Sequence, residues 1–175
     1  MDWDLTPKPA GDSRVTLTQM MEVTDANIAG NVHGGAIMRL VDTAAALAAI
    51  KHASGIAVTV AIDEMTFLEP VHIGDVLVLK ASVNDVGTSS MECGVRVEAT
   101  DPVTGKCVHA NSAYMVFVAV DAEGHPRPVP PLLAVSDEEQ RRQREAKLRR
   151  AARLAHKEAV KALQTTDHTR KERDR

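Results

Sequence analysis

A pair of adjacent glycines followed, seven residues on, by an isolated carboxylate is the arrangement in this 175-residue chain best suited to chemistry. Gly34-Gly35 opens an Ala-rich stretch, and Asp42 is the only acidic residue between Asp25 and Asp63. Glycines at a helix start leave backbone N–H groups uncovered, at the positive end of the helix dipole, where an anionic oxygen is stabilised. Donors of that kind with a carboxylate nearby suit hydrolysis of an activated carbonyl compound. The donors hold the developing oxyanion and the carboxylate takes a proton from water. The plain alternative pairs Asp42 with Arg39 one turn back, worth a few tenths of a kcal/mol, about what an exposed helix pair contributes. The small and apolar surroundings of Asp42 favour the functional reading.

Asn27 and Gly30 lie in the turn before the glycines, where both types are common for conformational reasons alone, although an Asn amide can also orient a water or a carbonyl. His33 could be a base, but no nucleophile stands beside it, and packing or positioning is the simpler role. The remaining histidines show no metal-ligand spacing, so no metal site is expected. A GxSxG elbow, an HExxH pair, a Walker-type GK[ST] and a GxGxxG are all missing, which leaves water or the carboxylate itself as nucleophile. Seven residues of helix separate Gly35 from Asp42 by about 10 Å, too far for both to touch one carbonyl. A two-fold dimer with antiparallel helices would solve this, placing a shared site between subunits.

Several elements must position these groups. Arg14 to Val23 reads as a first strand, and Thr24 to Val32 is dense in turn residues. A helix over Gly34 to Ala53 follows, with Ile37, Leu40, Val41, Ala44, Leu47 and Ala48 on the helical repeat. Its thin, Ala-rich cross-section predicts burial. The period then changes to two for strands over 56–67, 76–86, 90–100 and 106–120. Short separators predict a four-strand antiparallel meander. The fold class is α+β, a single antiparallel sheet of about five strands wrapped around a long central helix. Four of the eight prolines fall in 121–131 and close the domain. Ser136 and Glu139 then form a capping box for a charged helix with a thin stripe of Leu148, Ala152, Ala155, Ala159 and Leu163, lightly docked on the body or a partner. The last dozen residues are expected to be disordered. The organisation is therefore an irregular 1–13, a domain over 14–131, and a charged tail over 132–175.

Charge divides the chain in two. Residues 1–135 hold 8 basic and 16 acidic residues, and residues 136–175 hold 13 and 8, so an acidic body carries a basic tail. Four aromatics in the whole chain offer no stacking platform, which argues against nucleic acid. Two cysteines make no disulfide framework, the N-terminus lacks signal-peptide character, and no run reaches membrane-spanning length. A cytoplasmic protein without membrane association is expected.

The segments DANIAGNVHGGAIMRLVD, VTVAIDEMTFLEPVHIGD, GTSSMECGVRV and YMVFVAVDAEG, in that order, resemble the hotdog-fold acyl-CoA thioesterases. The resemblance is to the branch of cytosolic acyl-CoA hydrolases that includes YciA-like and brown-fat-inducible forms, over about residues 14–130. It implies hydrolysis of an acyl-CoA thioester to a carboxylic acid and coenzyme A, with no cofactor beyond the coenzyme A of substrate and product. It also implies that Asp42 is the catalytic carboxylate, that Asn27 comes from the opposing subunit, and that amides at Gly34 and Gly35 polarise the thioester carbonyl. His33, Val60, Ala61, Ile62, Ser89, Ser90 and Met91 would lie along the substrate, the last six in segments that hold coenzyme A. A homodimer is implied, and a hexamer built as a trimer of dimers is common in the branch.

Two rivals share the fold. One is a non-catalytic acyl-CoA-binding regulatory domain; the other is a dehydratase of hydroxyacyl thioesters, which would favour an Asp/His pair. The tail from Ser136 onward lies outside the recognised pattern and is expected to be dispensable for chemistry.

Overall fold

A computed structural model describes residues 3–173, with side chains described through Gln164. The central helix, α1, spans Gly34–Ala53, the bounds expected. Seven strands accompany it: β1 (Lys8–Pro9), β2 (Val15–Met20), β3 (Ala57–Phe67), β4 (Val76–Val86), β5 (Ser90–Thr100), β6 (Cys107–Ala119) and β7 (Leu132–Leu133). A second helix, α2, runs over Asp137–Arg173.

The five longer strands form one antiparallel sheet in the order β2-β4-β5-β6-β3. The meander is real for β4, β5 and β6 only. β3 pairs with β6 at the far edge instead of with β4. The reason lies in the segment between β3 and β4, which is anchored rather than turned: the Val71 carbonyl accepts from Val32 N–H, and the Asp75 carbonyl accepts from Met21 N–H. Those bonds tie it to the ends of β2 and of the turn before α1. α1 then crosses the whole sheet between the two edge strands, β2 and β3.

Ile37, Leu40, Val41, Ala44, Ala45, Ala48 and Ala49 of α1 pack on Leu77, Leu79, Val83, Met91, Val95, Met115 and Phe117 of the sheet. Alanines without bulk let the helix backbone approach the pleat closely. The helix is not buried all round, however: Met38, Leu47 and Ile50 remain exposed. One face packs inward, and the other lies beside the unpaired edge of β3. The C-terminal carbonyls of α1 receive cations, Lys8 Nζ on His52 O at 3.0 Å and Arg127 Nη2 on Ala53 O at 2.9 Å. Cations belong at that end of the dipole. The N-terminal segment is less irregular than expected, since β1 pairs in parallel with β7 and a 3-10 turn follows over Ala10–Ser13.

The capping box of α2 forms as expected: Glu139 N–H donates to Ser136 Oγ at 3.2 Å, and Ser136 N–H to Glu139 Oε2 at 3.1 Å. The docking face differs from the expected stripe. Leu148 and Leu163 are 72% and 71% exposed, and the three stripe alanines are exposed too. Residues 142, 143, 146, 149, 150 and 153 turn inward instead, on the sheet face opposite α1. That face carries Asp63, Asp85 and Glu92, so the complementary helix face is an arginine row. Arg149 bonds Glu92 through two nitrogens (2.6 and 3.2 Å) and lies 3.6 Å over the Tyr114 ring. Arg153 pairs with Asp63, and Gln143 Nε2 donates to Asp85 Oδ1 at 3.2 Å. The expected disorder of the last dozen residues falls mostly on side chains outside those described, and for residues 174 and 175 on the backbone as well.

Candidate active site

Asp42 sits half-buried in the middle of α1, on the side turned towards β3. Thr59 of β3 donates its Oγ1–H to Asp42 Oδ1 at 2.7 Å. Arg39 makes no ion pair with Asp42 among the described residues, so the plain alternative loses its partner. The bond has two effects. It fixes the carboxylate's rotamer, and it leaves Oδ2 and the second lone pair of Oδ1 to face outward.

Thr59 is not among the residues that motif or resemblance singles out, but the strand pattern carries a signal for it. It interrupts the valines of Val58-Thr59-Val60, and alternation puts it on the opposite face from both. Thr59, Phe117 and Met91 lie on one rung across β3, β6 and β5. Phe117 and Met91 are core residues facing α1, so Thr59 faces α1 as well. A lone hydroxyl on the helix-facing side of an edge strand needs a polar partner. Asp42 is that partner.

The glycine pair is arranged differently from expectation. His33 is the N-cap of α1, and its Nδ1 accepts from Gly35 N–H at 2.9 Å. That bond requires the tautomer with the proton on Nε2. The imidazole therefore caps the helix, and the Gly35 donor is already engaged. The Gly34 N–H has no acceptor among the described residues. A Cβ on Gly34 would lie 3.3 Å from the Phe67 ring, so the absence of a side chain keeps this amide open between ring and helix.

Asn27 is committed to its own turn. Its Oδ1 accepts from Ala29 and Asn31 N–H at 2.8 and 3.2 Å, and its Nδ2 donates to Val32 O at 3.4 Å. Gly30, at φ 82°, supplies the left-handed residue the turn needs. No contact joins Asn27 to Asp42 among the described residues. Val60 and Ile62 are 55% and 51% exposed on β3, and Ala61 is half-buried. Ser89 and Ser90 are half-buried at the β4–β5 turn. Met91 is fully buried in the core, so its side chain is unavailable to a ligand, against expectation. The tight turn before it forced that outcome, since Ser90 points outward and its neighbour must point in.

Met38, Leu47 and Ile50 of α1 and Ile56, Val58, Val60 and Ile62 along β3 are exposed, so this edge of the sheet carries apolar surface, with Val58 and Val60 on the face opposite Thr59. β3 is also a sheet edge with free backbone groups along its outer side. A long apolar edge is an invitation to pair. Among the described residues no three His, Cys, Asp or Glu side chains gather as a metal-ligand set, and no helix is long and apolar enough to cross a membrane.

Residues 29–106 match the family model of the thioesterase superfamily. The chain is 36% identical over 126 residues to the acyl-CoA thioester hydrolase YciA of Salmonella typhimurium, covering 70% of this chain and 92% of that one. Its structure superposes on an acyl-CoA hydrolase from Staphylococcus aureus solved with butyryl coenzyme A, coenzyme A and coenzyme A disulfide. The TM-score is 0.82 and the identity 33%, over 92% of this chain and 97% of that one. Structures of the same hydrolase include variants in which an asparagine, an aspartate and a threonine are each changed to alanine. An apo-hexameric acyl-CoA thioesterase superposes with a TM-score of 0.83 at 34% identity, over 86% of this chain and 97% of that one.

Proposed function

The chain belongs to the thioesterase superfamily and is an acyl-CoA thioester hydrolase, and on that premise we propose that Asp42, held by Thr59, is its catalytic carboxylate at a site shared between two subunits. The observation that carries the reading is the 2.7 Å Thr59–Asp42 bond, set at an unpaired strand edge. The staphylococcal variants support it. Their replaced asparagine, aspartate and threonine are spaced 15 and 17 residues apart, as are Asn27, Asp42 and Thr59 here.

In this scheme the thioester carbonyl lies against the N-terminus of α1 with its oxygen on the open Gly34 N–H. Water attacks the carbonyl carbon as Asp42 takes its proton. The resulting oxyanion is held by an amide donor, a contribution typically of about 3 kcal/mol. Collapse breaks the C–S bond and expels the coenzyme A thiolate, which needs little acid assistance because a thiol of pKa near 8.5 leaves readily. Direct attack by Asp42, giving a mixed anhydride that water then opens, uses the same groups. Thr59 keeps the carboxylate aimed by donating its hydroxyl proton to Oδ1.

Distance supports the involvement of a second subunit. Asp42 lies roughly 12 Å along α1 from Gly34, and in this reading a partner's helix N-terminus approaches it, with the partner's Asn27 turn. Pairing through β3 edges would also cover Ile56, Val58, Val60 and Ile62. The structural relatives described as hexameric are consistent with such an assembly.

Release of thiol from acyl-CoA, followed with a thiol reagent, tests the activity. Subunit exchange tests the sharing. Inactive Asn27→Ala and Asp42→Ala proteins mixed in equal amounts should regain roughly a quarter of wild-type activity, provided the two changes act independently. No recovery, with exchange confirmed by mass spectrometry, places both residues in one chain's site.

A further inference from the structure

Three of the four aromatic side chains have an evident structural role. Phe117 is core, Tyr114 lies under Arg149, and the Arg127 guanidinium lies 4.4 Å over the Trp3 ring. The fourth, Phe67, ends β3 on its helix-facing side, level with Asn111 and Val97, and is 50% exposed. A half-exposed ring is ordinary by itself, but the backbone beneath this one is pinned on both sides. The Thr66 carbonyl accepts from Asn111 Nδ2 at 2.8 Å, and Leu68 N–H donates to the Ala110 carbonyl at 2.9 Å. Asn111 is fully buried, and its Oδ1 has no partner among the described residues, a costly arrangement if it served only to close a strand. What the pin fixes is the ring edge. Phe67 Cζ and Cε1 stand 3.3 and 3.5 Å from where a Cβ on Gly34 would lie.

The ring edge therefore lies within about 6 Å of the Gly34 nitrogen, the open donor of the proposed oxyanion site. A carbonyl oxygen accepting from that nitrogen sits about 2.9 Å away, which brings the two substituents of its carbon within reach of the ring. One substituent is the acyl chain; the other is the sulfur that leads into the amide-bearing pantetheine arm. Gly34, Met38 and Asp42 follow at one-turn spacing on the same face of α1, while Phe67, Met65, Ile62 and Thr59 share the helix-facing side of β3. Between the Gly34–Phe67 contact and the Asp42–Thr59 bond, the positions along this seam are thus Met38, Met65 and Ile62. None of them carries a strong hydrogen-bonding group, so the seam suits an alkyl chain and leaves an amide unpaired. We propose that Phe67 is the specificity-determining residue for the acyl group: its ring packs against the carbon next to the thioester carbonyl and disfavours acyl groups branched there. A methyl branch on that carbon meets a ring that backs onto helix backbone and has nowhere to retreat. Asn111 is a positioning residue that acts through Phe67. The inference rests on the thioesterase reading above and deepens it by naming the preferred class of acyl group, the unbranched.

The experiment compares butyryl-CoA with isobutyryl-CoA, which have the same composition and differ only in the branch. Branching slows thioester hydrolysis intrinsically, so the readout is how the ratio of kcat/KM for the two substrates changes between proteins. The wild-type protein should favour butyryl-CoA. Phe67→Ala should lower that preference about tenfold, the scale of one methyl-sized group in an apolar pocket, chiefly by raising kcat/KM for the branched substrate. Phe67→Leu, which keeps an apolar side chain in place, should lower it in the same direction by less. Asn111→Ala, which frees the ring to shift, should also lower it, and should add nothing in a chain that already carries Phe67→Ala. An added effect there would mean that Asn111 does not act through the ring. A preference unchanged by Phe67→Ala overturns the proposal. So does an equal loss on both substrates, which would mean that the ring supports the start of α1 and does not choose the acyl group. A wild-type protein that releases thiol from neither substrate, nor from a long-chain acyl-CoA, would overturn the thioesterase reading itself, an outcome distinct from all of these.

Discussion

Two helices lie on opposite faces of one sheet and hold to it by different physics. α1 presents alanines and branched aliphatic residues to Leu77, Leu79, Met91 and Phe117, and its attachment is close packing and apolar burial. α2 presents Gln143, Arg149 and Arg153 to Asp85, Glu92 and Asp63, and keeps its leucines in water. The first attachment is non-directional, insensitive to salt and intolerant of volume change. The second is directional and partner-specific. A group that must be held to a fraction of an ångström belongs on the first kind of helix, and Asp42 is there. A helix held by a few charged contacts can vary while the catalytic core stays fixed.

The largest effect should come from the rigid helix. Asp42→Asn keeps the shape and the Thr59 bond but removes the proposed base, and turnover should fall by roughly 10²–10⁴-fold, the usual range for a lost general base. Circular dichroism and coenzyme A binding should be unaltered. Near wild-type turnover would return Asp42 to an ordinary surface acid. Thr59→Ala removes only the aim of that carboxylate and should cost kcat about tenfold, an effect of the size of one hydrogen bond to a charged group.

Next in size come the two attachments themselves. Ala48, fully buried on the sheet-facing side of α1, has no room beside it, so Ala48→Leu should lower stability by about 1–3 kcal/mol by overpacking. The loss should appear as a lower midpoint in urea for the whole domain. Arg149→Ala leaves Glu92 without its cation in a site only 6% exposed, which should cost roughly 2 kcal/mol. Here the loss should be local: proteolysis should begin cutting α2 while the sheet still melts as before. Pairing the change with Glu92→Gln should restore part of the loss, since no buried charge then stands alone. If Arg149→Ala lowers the global midpoint as much as Ala48→Leu does, the distinction between the helices fails.

How much of this was legible follows the same division. Local patterns carried α1, β4 and β5 to the residue, because a 3.6 or 2.0 period and a glycine stop are properties of the segment alone. Asp42 stood out for the same reason. What failed depended on neighbours distant in sequence. β3 looked like a hairpin partner of β4, and only the anchoring of Val71 and Asp75 to earlier segments explains its place beside β6. Thr59 could be assigned to the helix-facing side by alternation, but not to Asp42 without knowing that α1 crosses to that edge. The apolar stripe of α2 does not mark its docking face, as the apolar positions of α1 do. The opposite charges of body and tail were the better guide, since the docking face answers the acids on the sheet. The family resemblance supplied the reaction, which neither spacing nor charge could.

The smallest predicted effect concerns the end of α1 farthest from the glycines. His52 is 1% exposed there, its Nε2 bonded to the Pro130 carbonyl at 2.9 Å and its Nδ1 without a partner among the described residues. Burial pulls its pKa below the ordinary value, and nearby Lys8 adds to the pull, while the Pro130 bond and Asp12 oppose it. The folded chain therefore takes up this proton less readily than the unfolded chain, whose histidine titrates near 6.5. The unfolded state binds more protons once pH falls below that value, so the contribution of neutral His52 is intact above about 6.5 and is eroded below it. The slope cannot exceed about 1.4 kcal/mol per pH unit for one group. His52→Gln keeps a donor for the Pro130 carbonyl and cannot titrate. The melting temperatures of the two proteins should differ most at pH 7.5 and converge towards pH 5. A difference that stays constant over that range would mean that His52 takes up its proton equally in the folded and unfolded chains, so that burial does not hold its pKa down; a difference that grows towards pH 5 would mean that the fold favours the charged ring.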